Sequence, residues 1–139
     1  METRLDMRHL ILFATVYLFT NETVLADSAT VPSGVKFEVT THARYDSQCQ
    51  PNRVSIKILE EPTNGKLTVE PKTMEVRAGP ERDIPQQAHC VGKIVEGVAI
   101  YYQSKPGFVG QDSFRYQRLN PRDPGDRFNT VIEYSITVE

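Results

Sequence analysis

The chain has 139 residues, a formal net charge of −2 and no tryptophan. With no lysine- or arginine-rich run and no acidic tail, it offers no electrostatic basis for binding nucleic acid or an anionic membrane surface. Its two cysteines lack the C-x-x-C spacing of a thioredoxin-like redox motif.

The first predicted element is a targeting segment. Arg4, Arg8 and His9 make a basic start, Leu10 to Phe19 (LILFATVYLF) is an unbroken apolar run, and Val24-Leu25-Ala26 closes with a small-x-small pattern that a signal peptidase can cut. These parts predict a signal peptide over 1–26 and a periplasmic or secreted mature chain that starts at Asp27. The apolar run is about half of the roughly 20 residues a spanning helix needs, and Asn21 and Glu22 interrupt it. No cysteine stands at the cleavage site, so a lipid anchor is not expected, and no later stretch is apolar enough to span a membrane. Removing the segment leaves 113 residues with 14 basic and 15 acidic groups, which is the size of one domain over 27–139 with a modest core.

Strand after strand follows. Val35, Phe37 and Val39 alternate with Lys36, Glu38 and Thr40, and Val54, Ile56 and Ile58 alternate with Ser55 and Lys57. Leu67 and Val69 alternate with polar neighbours, Met74 and Val76 flank Glu75, and Val98, Ile100 and Tyr102 share one face. Phe114 and Tyr116 share a face, and Ile132, Tyr134, Ile136 and Val138 alternate with Glu133, Ser135 and Thr137. A period of two sets one row of side chains on a core and the other in water, and β-branched and aromatic residues suit such pleated surfaces.

Turn residues separate the runs: Pro62-Thr63-Asn64-Gly65 reads as a tight reversal with positive φ available at Asn-Gly, and Ala78-Gly79-Pro80, Pro106-Gly107, Gly110 and the segment Asn120 to Gly125 mark the others. No stretch after residue 26 has helical periodicity. About seven short strands in roughly 110 residues predict an all-β fold, an antiparallel β-sandwich. In an exported chain Cys49 and Cys90 are expected to pair. Closing their 41-residue loop contributes about 4 kcal/mol in the chain-entropy picture.

The stretch Tyr101-Tyr102, Lys105-Pro106-Gly107-Phe108-Val109-Gly110-Gln111-Asp112-Ser113-Phe114-Arg115-Tyr116 and the final strand resemble the C-terminal half of the Ig-like or cadherin-like repeats of bacterial surface and secreted proteins. Pro62 to Leu67 looks like the middle hairpin of those repeats. The resemblance implies an Ig-like sandwich in single copy and says little of function. It makes Gly107, Gly110, Asp112, Phe114 and Tyr116 the fold motif. Gly107 and Gly110 turn the chain, Asp112 accepts hydrogen bonds from turn amides, and Phe114 and Tyr116 stack in the core. The Asp112–Tyr116 spacing is also similar to a tyrosine corner, in which the phenol bonds backbone. The chain departs from antibody domains in lacking tryptophan and in carrying Arg118 where they have their second cysteine. Its cysteine bridge is therefore expected to join loops or strand ends, and a calcium-stiffened array is not expected.

Catalytic chemistry finds little footing. After residue 26 the only histidines are His42 and His89. His89 adjoins Cys90, but a bridged cysteine is no nucleophile. His42, His89, Cys49 and Cys90 are the one set with the ligand types to converge on zinc or copper, although their spacing matches no metal motif and oxidised sulfurs do not ligate. Asn120, Asp123 and Asp126, with Asp112, lack the Asp-x-Asp-x-Asp-Gly pattern of a calcium loop. Gly107 and Gly110 precede a strand, where a phosphate cradle would open a helix. No cofactor and no metal site is expected. The segment Leu119 to Phe128 (LNPRDPGDRF) is the candidate binding loop. It is long for a hairpin, it carries Asn120, Arg122, Asp123, Asp126 and Arg127, and Arg118 and Tyr101 are expected to flank it.

The sequence thus predicts a non-enzymatic domain that binds another envelope or extracellular protein or serves as a structural adaptor. A metal or small-ligand carrier, and an enzyme with a site invisible in sequence, are the alternatives.

Overall fold

The computed structural model describes residues 24–77 and 85–139. Most of the predicted signal peptide and the Ala78-Gly79-Pro80 turn lie outside these residues. The described chain is two four-stranded sheets packed face to face. In the first, β1 (Val24–Val31), β8 (Thr130–Val138), β7 (Gly110–Leu119) and β4 (Ser55–Glu60) lie side by side. In the second the order is β3 (Pro51–Asn52), β2 (Phe37–Tyr45), β6 (Ile94–Ser104) and β5 (Gly65–Glu75). Every pairing is antiparallel except β1 with β8, which is parallel. A short 3-10 helix, Pro85–Cys90, precedes β6.

The alternation of β7 and β8 places Phe114, Tyr116, Ile132, Tyr134, Ile136 and Val138 on the inner face, where they meet Ile100 and Tyr102 of the other sheet and Val31 of β1. Phe114 stacks on Tyr134 with ring centroids 5.2 Å apart and on Tyr116 at 5.8 Å. Burying large aromatic side chains in this way supplies most of the cohesion between sheets.

A second apolar cluster lies on the outer face of the β3-β2-β6-β5 sheet. Val76, Cys90 and Val95 are buried there with Ala43, Tyr45, Cys49 and Met74 around them. It accounts for a break in the sequence pattern. Leu67–Glu70 and Met74–Arg77 read as separate runs, yet one strand, β5, carries both pieces. Leu67 packs on the main core and Met74 on the second cluster. Apolar residues therefore change face along the strand, and the period of two slips between Val69 and Met74.

Other expectations need correction. Pro62–Gly65 is not a hairpin turn, because β4 and β5 belong to different sheets and the link between them crosses over. Gly65 is absent from the positive-φ residues. It is small for another reason: a Cβ there would lie 2.4 Å from Cε2 of Tyr102 and 2.8 Å from the Gln103 carbonyl oxygen. Gly107 and Gly110 do take positive φ, 77° and 135°. Two strands were not foreseen. β1 lacks a clean alternation after Asp27, and β3 is a two-residue bridge.

Candidate functional site

The candidate loop closes the end of the sandwich where β7 runs out and β8 begins. Its polar side chains are largely turned on the loop itself. Asn129 Oδ1 accepts from the Asn120 amide at 2.6 Å, and Asn129 Nδ2 donates to the carbonyls of Asp123 and Pro124. Asp123 caps Gly125, and Asn120 Oδ1 accepts from the Arg122 amide. Asp126 accepts from the Phe128 amide at 2.9 Å and from Asn120 Nδ2 at 2.8 Å. It also pairs with Arg44 of β2, a residue that sequence proximity could not have linked to the loop. These donors hold the Asp126 carboxyl down at about 2, the Phe128 amide foremost.

Phe128 folds back over the sandwich end. The guanidinium carbons of Arg118 and Arg44 lie 4.6 and 4.8 Å from its ring centroid, within cation–π reach. Arg118 Nε also donates to the Phe128 carbonyl at 3.1 Å. Arg118 flanks the loop as expected. Tyr101 does not: it lies on the outer face of the other sheet, with Lys36 Nζ 4.6 Å above its ring and Glu38 beside its hydroxyl.

Arg122 and Arg127 behave differently from the rest of the loop. Both are exposed, and neither side chain bonds or ion-pairs with another described residue. Beside Arg127 and Arg118 opens a cleft of about 540 Å³, which Gln117, Asn129, Val131 and Leu25 also line.

One rung inward, His42 Nε2 lies 2.8 Å from the Tyr116 hydroxyl, so this contact joins the two sheets. It replaces the phenol-to-backbone bond of a tyrosine corner. Burial pushes the His42 imidazole down to about 4, the Arg118 charge adds to this, and Asp27 opposes it. The buried Tyr116 phenol is pushed up, chiefly by desolvation.

At the far end of β7, Asp112 serves the fold. It accepts from the amides of Thr63, Asn64 and Ser113 at 2.9–3.0 Å and from the Tyr102 hydroxyl at 2.9 Å. It therefore stands apart from Asn120, Asp123 and Asp126, and the four do not form one carboxylate group.

Cys49 and Cys90 are bonded to each other. Cys49 sits in the Asp46–Gln50 turn after β2 and Cys90 ends the 3-10 helix, so the bridge joins loop to helix end. His89 lies with them, its nitrogen and the two sulfurs within 4.8 Å of one another. His42 lies elsewhere, against Tyr116, so the four-residue convergence is not formed. Bridged sulfurs supply no thiolate, and His89 Nε2 donates to the Ser47 carbonyl at 2.7 Å; these residues do not fit a metal while the bridge stands.

No protein-family model matches the chain, and no curated protein matches it by sequence. Among solved structures it is similar to amebosin, with a TM-score of 0.42 and 11% identity over 85% of this chain and 98% of that one. It is also similar to the cysteine protease inhibitor EhICP2 from Entamoeba histolytica, with a TM-score of 0.41 and 13% identity over 84% and 94% of the two chains.

Proposed function

We propose that the protein is an exported, non-enzymatic binding domain that engages another protein through the β7–β8 end of its sandwich. The observation that carries this reading is the contrast within one loop. Asn120, Asp123, Asp126 and Asn129 are spent on holding its shape, while Arg122 and Arg127 project from that braced frame unpaired among the described residues. A braced loop loses little backbone entropy on binding, and arginine is favoured at interface centres. The distant similarity to a protease inhibitor assigns no partner, so the partner is sought without presuming a protease.

The test compares the purified protein with its Arg122→Ala/Arg127→Ala variant as baits in the host's envelope and culture fractions. Loss of captured protein in the variant, with its melting temperature unchanged, is the expected result. Equal capture by both forms, or none by either, overturns the reading.

A further inference from the structure

The cleft beside Arg127 is bounded by Leu25, and Leu25 is one of the three described residues of the segment that the predicted signal-peptide cut after Ala26 removes. Those residues are paired: Val24, Leu25 and Ala26 stand opposite Val131, Ile132 and Glu133 as the start of the parallel β1–β8 ladder. Their side chains are poorly buried, with Val24 41% and Leu25 46% exposed. Losing them costs little core, but it leaves the backbone groups at the start of β8 without partners on that side. An open sheet edge of this kind is a template for an added strand.

The surroundings select what is added. Arg118, Arg122 and Arg127 fall within ten residues at this end, and none has a carboxylate ion-pair partner among the described residues. Of the acids adjoining them in sequence, Asp126 is committed to Arg44, and Asp123 accepts from the Gly125 amide.

We infer that cleavage after Ala26 opens a strand-addition groove along Val131–Glu133, and that an extended segment of a partner protein fills it, with small apolar side chains in the places of Val24 and Leu25 and a preceding carboxylate directed to Arg118 and Arg127. The inference rests on the binding role proposed above and names the mode of docking. The displaced segment itself has this composition, since Glu22-Thr23 precedes Val24-Leu25-Ala26.

The experiment uses the exported protein, its N-terminus fixed by intact mass, and a chain that begins at Val24. Each is titrated with the peptide Glu-Thr-Val-Leu-Ala while backbone amide resonances are followed. The chain starting at Asp27 is expected to show saturable shifts at Val131–Glu133, and the chain starting at Val24 none. Replacing the peptide's Glu by Gln, or Arg127→Glu in the protein, weakens binding about threefold or more, as loss of a partly exposed ion pair does. No shifts in the Asp27 chain, equal shifts in both chains, no weakening on charge removal, or a mature N-terminus upstream of Val24 each overturns the inference. Partner capture that persists with the Val24 chain overturns it too while leaving the loop's binding role standing. Capture insensitive to Arg122 and Arg127 sinks that role instead.

Discussion

His42 shows how far a residue's surroundings can differ from its sequence neighbourhood. Beside it in sequence stand Thr41 and Ala43, and the alternation of Val35, Phe37 and Val39 carried forward sets it on the polar row with Thr40; the irregularity between Glu38 and Thr40 turns it inward. Its partner Tyr116 is 74 positions away. That distance is why the sequence reading considered it for a metal and missed the bridge between sheets. The same pairing has a thermodynamic consequence. An unfolded histidine titrates near 6.5, whereas here the imidazole stays neutral down to about 4. Between those values the unfolded chain binds a proton that the folded one refuses, so stability is full above pH 6.5 and falls as the pH drops towards 4. The loss is up to about 3 kcal/mol. Asp126 acts in a separate window. Its lowered carboxyl contributes stability above about pH 4 that is lost as the pH falls towards 2. Denaturant unfolding of His42→Gln is expected to flatten the slope between pH 6.5 and 4 and leave the lower window intact. An unchanged upper slope would place that acid sensitivity in another group.

At the scale of elements, the strands with an uninterrupted alternation were legible, β7 and β8 above all, because one face of each meets a single core. The all-β sandwich and the disulfide also followed from pattern and context. What stayed hidden depended on the second cluster. The phase slip in β5 makes sense only once a cover of Cys49, Cys90 and Val76 lies over Met74 and Val95. The disulfide ties that cover together, joining the turn after β2 to the end of the 3-10 helix. The Cys49→Ser/Cys90→Ser variant is therefore expected to lose about 4 kcal/mol, unevenly. Amide protection should fall most at Val76 and Val95 and least at Phe114 and Tyr134, which belong to the main core. Uniform loss across both clusters, read by hydrogen exchange, would mean that the bridge supports the sandwich as a whole. The candidate loop was legible as a loop and as a carrier of arginines. Its bracing was not, since Arg44 reaches Asp126 from the opposite sheet, 82 positions away.

Among the described residues, two open sheets present four edges, and these differ in what guards them. β3 pairs only with Arg44 and Tyr45, so from Phe37 to Ala43 β2 is itself an edge among the described residues, with Glu38 as the charge along it. β4 is broken by an irregularity between Ile58 and Glu60, which disturbs the flat ladder an incoming strand would need. β5 is long, 11 residues, and would be the most dangerous edge but for Pro71, Lys66, Lys72 and Glu70 along it. β1 carries no proline and no lysine, only Asp27 as a charge, and its first residues are half-exposed. β4 and β5 thus carry features that hinder an added strand, and the β1 edge beside the arginines has none of them. This asymmetry makes β5 the control for the docking argument. Pro71 withholds an amide from any strand that approaches β5, and its exposed position means that its loss leaves the core untouched. Pro71→Val restores that amide and a β-favouring side chain. Light scattering across a concentration series is expected to show the variant associating where the parent protein does not, with an unchanged melting temperature at the lowest concentration. If the variant scatters like the parent, the charges of Lys66, Glu70 and Lys72 suffice to guard this edge, and the absence of lysine from β1 becomes the feature that sets its edge apart.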